Sequence, residues 1–362
     1  MSAAMPASAK VATAHKAASP LIVVTKSPFN AETPLGDQIG SITPNDRFYV
    51  RTHFPVPRID TTSWRLQIDG EVQRPYELTF DELRSLPTRS FLATIECAGN
   101  GRSAMQPPAE GEPWGYGAVG TAEWTGVPLA DILAKAGIGH RASEVVITGA
   151  DHGKVAEINQ QIPFARALRL EKAFNRDIIL AYAMNGSLLS PEHGYPVRLI
   201  VPGWYGMASV KWIDRIEVIA DRFAGFYQTI HYVMEHPKHG ETTKTPLTAM
   251  RVRSLIVSPA AGATLPVGDH LVRGLAWSGE APVTRVDVSV DGSKWDSAEF
   301  VSSPECYAWR RWEFAWHASS PGQVTLRSRA TDAAGGVQPD LPEWNRLGYA
   351  NNAVQTITVR IT

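Results

Sequence analysis

Two cysteines in 362 residues, Cys97 and Cys306, are too few for a disulfide framework. They cannot make a zinc site of the Cys-x-x-Cys kind either, although one thiolate can still ligate a metal held mostly by something else. Net charge is equally scarce. With 35 Lys and Arg against 36 Asp and Glu the formal charge is −1, so no global field draws the chain to nucleic acid or an anionic membrane. Any anion binding must come from local clusters of Arg and Lys. No apolar run approaches the roughly 18 residues of a membrane span. The first twenty residues, MSAAMPASAKVATAHKAASP, lack the apolar core of a secretion signal and read as a disordered tail. Cytoplasmic residence is the simplest expectation; a mature periplasmic chain starting on an added Met would look the same.

What is present is ordinary for a soluble globular protein, with 44% hydrophobic and 20% charged residues. The length exceeds one ordinary core and predicts two domains. Composition shifts near residues 240–250. Before it, short strands such as 64–68 mix with helices at 81–85, capped by Thr79 or Asp81, and at 129–136, opened by Val127-Pro128. After it come short alternating strands, at 284–290, 311–316, 323–330 and 353–361. The expected fold class is α+β: a mixed α+β domain over 21–240, then an immunoglobulin-like β-sandwich over 246–362. The polar stretch 235–246, EHPKHGETTKTP, reads as the linker.

Three segments carry chemistry. FLATIECAGNGRS (residues 91–103) is a β-prone run that stops at Cys97 and a Gly-rich turn, which leaves backbone N–H groups free for an anion. A free cysteine before a turn is more often a buried structural residue. Arg102, within one turn, favours the thiolate that a metal needs. In NDRFYVRTHFPVP (45–57), Arg51 and His53 stand two apart on an extended stretch and so share a side. In HGYPVRLIVPGWYGMASVKW (193–212), Arg198 interrupts an apolar strand, and Gly203 and Gly206 flank a loop ending in Ser209-Val210-Lys211. Cations around Gly-rich turns suit a phosphate-bearing cofactor tail. Ordinary hairpin loops would give the same pattern.

Together these segments resemble the sulfite oxidase family of molybdopterin-dependent oxidoreductases, from about residue 20 to the end of the chain. ATIECAGNGR resembles the family's cysteine loop, RTHFPVP its arginine–histidine strand, AYAMNG (181–186) its active-site tyrosine segment, and HGYPVRLIVPG with VKW its pterin-phosphate region. CYAWRRW (306–312) resembles the C-terminal segment that returns an arginine to the substrate pocket.

The resemblance implies molybdenum and molybdopterin as cofactors, with Cys97 supplying the metal's thiolate. It implies that Arg51, Tyr182 and Arg310 line an oxyanion pocket beside Trp114. His53, Arg102, Arg166, Arg198, Ser209 and Lys211 would hold the pterin and its phosphate. Cys306 would be dispensable. The implied reaction is oxidation of sulfite to sulfate, with electrons leaving to a separate acceptor such as a c-type cytochrome. A relative acting on sulfoxides or protein-bound sulfur, a nitrate reductase, and a non-catalytic sandwich module for adhesion or sugar binding are the alternatives. The chain departs from the family in one respect. Members often carry a Lys four residues before the tryptophan, whereas here Glu110 stands there, a cost to a dianion unless it points outward or pairs with an arginine. The resemblance also implies a homodimer through the C-terminal part, where Trp277, Trp295, Trp309, Trp312 and Trp316 are more than one sandwich usually needs inside, unless all five are core.

Overall fold

The computed structural model describes residues 20–238, 241–292 and 294–362. Residues 1–19 of the expected tail lie outside the described residues. Strands dominate. The longest α-helix, Leu129–Ala136, has eight residues, and the others (Phe80–Ser85, Leu170–Ala173 and Phe226–Thr229) six or four. The expected α+β balance is therefore corrected to mostly strand with few helices. The β-branched run EVVITGADHGKV explains part of the shift, because Glu144–Val155 folds back on Gln160–Arg169 as a long antiparallel pair. Phe80–Ser85 begins one residue earlier than expected and has a capping box. Thr79 Oγ1 accepts from Glu82 N at 3.2 Å, and Thr79 N donates to Glu82 Oε2 at 2.8 Å.

Two five-stranded sheets build most of the N-terminal part, beside the short pair Ile22–Lys26 and Phe29–Glu32. In one, Ser187–Leu188, Ile179–Met184, Val119–Pro128 and Arg89–Glu96 lie in that order, with Arg198–Ile200 also paired to Ile179–Met184. In the other the order is Tyr76–Leu78, Leu66–Gly70, Ile213–Ile219, Glu144–Val155 and Gln160–Arg169. Two further sheets, of four and five strands, form the C-terminal part and enclose a core that includes Val272, Trp312, Leu326 and Val359. All four strands expected there are present. The expected linker is not an open connection. Val233–Lys238 pairs antiparallel with Glu241–Pro246, and the Thr-rich second strand is mostly exposed, so its polarity concealed the pairing.

The seam between the two parts matters for the site. Arg89–Glu96 is the end strand of its sheet, and its outer side is covered by the segment 307–309. Thr94 N donates to Tyr307 O at 2.8 Å, and Trp309 N donates to Thr94 Oγ1 at 2.8 Å. Of the five tryptophans, Trp277, Trp309 and Trp312 are buried. Trp295 and Trp316 remain half-buried, and only these two are left to face a partner.

Candidate active site

Cys97 follows directly on the end of the strand Arg89–Glu96. The chain turns at once, with Asn100 N donating to Cys97 O at 2.9 Å. Two glycines make the turn possible. Gly101 adopts φ +84°, and a Cβ at Gly99 would lie 2.6 Å from the Arg102 guanidinium. Cys97 is buried, and burial raises its thiol above the usual range, while Arg51 and Arg102 pull it back down. The pull expected from Arg102 is therefore real but outweighed by desolvation in the bare protein. Two cavities meet at this sulfur, and Arg51, His53 and Cys97 line both.

The inner cavity is a narrow cationic cleft. Arg198, Ser209 and Lys211 line it, as expected from sequence. Arg198 is fixed by donating Nη1 to His193 O at 3.1 Å and Nη2 to Ser209 O at 3.2 Å, and it lies 5.0 Å over the Trp124 ring. Its Nε has no partner. Ser209 Oγ accepts from Val201 N, which leaves its hydroxyl proton to donate. Lys211 donates Nζ to Glu192 O at 2.7 Å, and burial followed by repulsion from Arg198 holds its pKa well below the usual lysine range.

Two residues of the cleft escaped sequence reasoning. Asp151 is 4% exposed, its Oδ1 lacks a partner, and burial pushes its carboxyl up to about 7. It sits in a β-bulge between Thr148 and His152. His193 is buried against Asn45 O, and desolvation with nearby Lys211 and Arg198 lowers its pKa to about 3.

The outer cavity, about 430 Å³, opens from Cys97 past Arg51, Arg102, Trp114, Tyr232 and Tyr349. Arg102 lines this chamber and not the cleft, apart from Arg198, Ser209 and Lys211, with which the sequence groups it. It donates Nε to Leu347 O and Nη1 to Glu112 O, and lies 5.3 Å over Tyr349. Trp114 is fully buried with its Nε1 unpartnered. Tyr232 Oη lies 2.6 Å from His53 Nε2, and burial, followed by repulsion from Arg51, keeps that imidazole neutral.

Three expected residues are corrected. Tyr182 lines neither cavity. Along Ile179–Met184 side chains alternate, so Ile179 and Ala181 share the core of Cys97 while Leu180 and Tyr182 face the other way, Tyr182 beneath Arg84. Tyr232 is the tyrosine that meets His53 in the chamber. Arg310 also lies elsewhere: it stacks on Phe300 at 3.4 Å, donates to Val283 O, and shares a strand face with Trp312 inside the sandwich. Arg346 is the arginine the C-terminal part brings to the chamber rim, where it meets Glu110 Oε2 at 2.7 Å. Glu110 thus has the arginine partner that offsets its charge. Arg166 is buried but gives its guanidinium to Tyr227 O and Leu247 O, outside both cavities.

Comparison with known proteins decides the family. Residues 53–227 match the model of the oxidoreductase molybdopterin binding domain, and 244–362 that of the Mo-co oxidoreductase dimerisation domain. The sulfite oxidase of Gallus gallus is 37% identical over 92% of this chain and 76% of its own length. That of Arabidopsis thaliana is 34% identical over 94% of both chains. The chain belongs to the sulfite oxidase family. Among solved structures of like fold, the sulfane dehydrogenase SoxCD of Paracoccus pantotrophus superposes with a TM-score of 0.82, at 30% identity over 97% of this chain and 92% of that one.

The residues fit the family's cofactor, molybdopterin with its molybdenum. Among the described residues no group of three His, Cys, Asp or Glu could hold a bare ion, so Cys97 can serve as one ligand to a metal that another molecule brings. The unpartnered Arg198 Nε and half-buried Lys211 suit an anionic tail, and the unpartnered Asp151 Oδ1 suits N–H donors of a pterin ring.

This family member's cleft also fixes a pH dependence. His193 has a folded pKa below its ordinary value, so its contribution to stability is full above about pH 6.5 and is lost as pH falls toward 3. Between pH 7 and 5 the cofactor-free protein should lose about 2 kcal/mol through this one group. Urea unfolding of His193→Gln is expected to show a pH 7-to-5 loss smaller by that amount. An identical loss in both proteins would show that His193 titrates alike in the folded and unfolded chain, and would overturn the lowered value.

Proposed function

We propose that the chain oxidises sulfite to sulfate at a molybdenum held by Cys97, and passes the electrons to a separate acceptor such as a c-type cytochrome. One observation carries this reading: the Cys97 sulfur stands where a cationic cleft fit for a pterin phosphate meets an arginine-lined chamber fit for a small oxyanion. When bound, the cofactor supplies the two-electron oxygen-atom transfer. The chain supplies position and charge. Arg198, Ser209 and Lys211 hold the cofactor's anionic tail, and Asp151 its ring.

In the chamber Arg51 and Arg102 orient the dianion, with the Trp114 N–H as a further donor. With His53 kept neutral, Tyr232 can donate to its Nε2 while the phenol oxygen accepts from Arg51, so the three side chains hold one another in place. Metal analysis and sulfite-dependent reduction of ferricyanide test the reading. A protein loaded with molybdenum that does not reduce ferricyanide with sulfite would overturn it.

In finer detail, residues 21–240 act as the catalytic domain and 246–362 as an immunoglobulin-like sandwich that dimerises. Two stacked sheets and the match to a dimerisation domain support this. Sedimentation at micromolar concentration should show a species of twice 39.5 kDa. The monomer mass alone would refute dimerisation.

A further inference from the structure

The loop that carries Cys97 is gripped from outside its own sheet. Glu96, just before the cysteine, is 1% exposed, and both its carboxylate oxygens accept from residues 157 and 181 positions further along. Oε1 accepts from Arg253 Nη1 at 2.6 Å and from Asn100 Nδ2 at 3.0 Å. Oε2 accepts from Trp277 Nε1 at 2.9 Å. The same Arg253 Nη1 donates to Asn100 O at 3.1 Å, on the far side of the loop. The guanidinium lies against Gly101, where an added Cβ would meet Nη2 at 2.6 Å. Three further bonds follow the loop: Ala350 N to Ala98 O, Asn351 Nδ2 to Gly101 O, and Arg102 Nε to Leu347 O, each 2.8 Å.

A buried ion pair is a poor way to gain stability, because an apolar pair of similar size does as well. What a carboxylate with both oxygens engaged provides is a fixed position. Glu96 and Arg253 are each 2% exposed at the side chain, and neither lines the cleft or the chamber, so their contact with the site runs through the loop, beside a through-space push of the Glu96 charge that raises the Cys97 thiol. We propose that the Glu96–Arg253 pair, completed by Trp277, is a positioning device. It sets the Cys97 sulfur relative to the cleft and the chamber, so that the C-terminal part of the chain fixes the geometry of the metal's thiolate. This rests on the reading of Cys97 as the molybdenum ligand.

The test uses the full chain in a Cys306→Ser background, with the thiolate-to-metal absorption band, molybdenum retained after gel filtration, kcat, and the thermal midpoint read together. Arg253→Gln should shift the band and lower kcat and retention by about tenfold or more. Arg253→Lys, whose ammonium can still reach Glu96, should restore the band in part. Glu96→Gln/Arg253→Gln removes the unpaired charge, and should recover the thermal midpoint without recovering the band. A scaffold role alone would make the two recover together, which would overturn the proposal, as would a wild-type band and kcat in Arg253→Gln. Should Arg253→Gln not fold, Trp277→Phe removes a single bond to Oε2, and an unshifted band there would be equally decisive. Cys97→Ser, run alongside, separates the two failures. A band that survives in Cys97→Ser defeats the metal reading, whereas a band lost there but unchanged in Arg253→Gln defeats only the positioning role.

Discussion

Cys97→Ser is expected to lower sulfite-dependent turnover by about a thousandfold or more, equivalent to roughly 4 kcal/mol of transition-state stabilisation. The hydroxyl is a harder donor with a far higher pKa than the thiol, so it does not replace thiolate on a metal of this kind. The fold should persist, because serine is close in size and Cys97 lies at the margin of its apolar cluster, against two cavities. Bound molybdenum should fall as well. The matched control is Cys306→Ser, at an exposed position remote from both cavities, which should leave turnover unchanged. Near wild-type turnover in Cys97→Ser would remove the metal assignment altogether.

Arg51→Met should cost about 2–5 kcal/mol in kcat/KM for sulfite, or roughly thirtyfold to several thousandfold, because it leaves a desolvated dianion without its partner. Arg51 borders both cavities, donates Nη1 to Asn30 Oδ1 at 3.3 Å, and faces Tyr232. Arg51→Lys keeps the charge and loses the planar fork, so its loss should be intermediate. Arg310→Met, in contrast, should leave kcat/KM within about twofold, since that guanidinium stacks on Phe300 inside the sandwich. Steady-state kinetics on the three variants decide the matter. Equal losses in Arg51→Met and Arg310→Met would reverse the placement of these two arginines.

What the sequence disclosed and what it hid follow one physical division. The cysteine loop, the Arg198–Lys211 segment and the helix Leu129–Ala136 were legible because each is set by neighbours within a few residues: glycines, a proline, an apolar stripe. The place of Tyr182 is not carried by its segment AYAMNG, because strand alternation decides which core each residue of Ile179–Met184 enters. Tyr232 had no local signal, since its place beside His53 depends on contacts 179 residues apart. Asp151 could have been noticed as an acidic residue amid small ones in a β-prone run, the composition of a bulge. Arg346 and Glu110 meet across 236 residues, and no spacing rule reaches that far.

Covering the strand Arg89–Glu96 with Tyr307 and Trp309 also has a consequence in time. A chain emerges from its N-terminus at about 5–20 residues per second. The cysteine strand is therefore made well before the segment that shields it, which lies more than 200 residues later. Until then its outer row of N–H and C=O groups is an open edge, able to pair with any passing strand. The partners that close the turn after Cys97, Leu347 and Asn351, come later still, 245 and 250 residues beyond the groups they bind. Synthesis order thus makes the cysteine loop one of the last parts of the molecule to take its final shape, and a chain stalled before residue 307 would present a sticky strand in place of a ligand site.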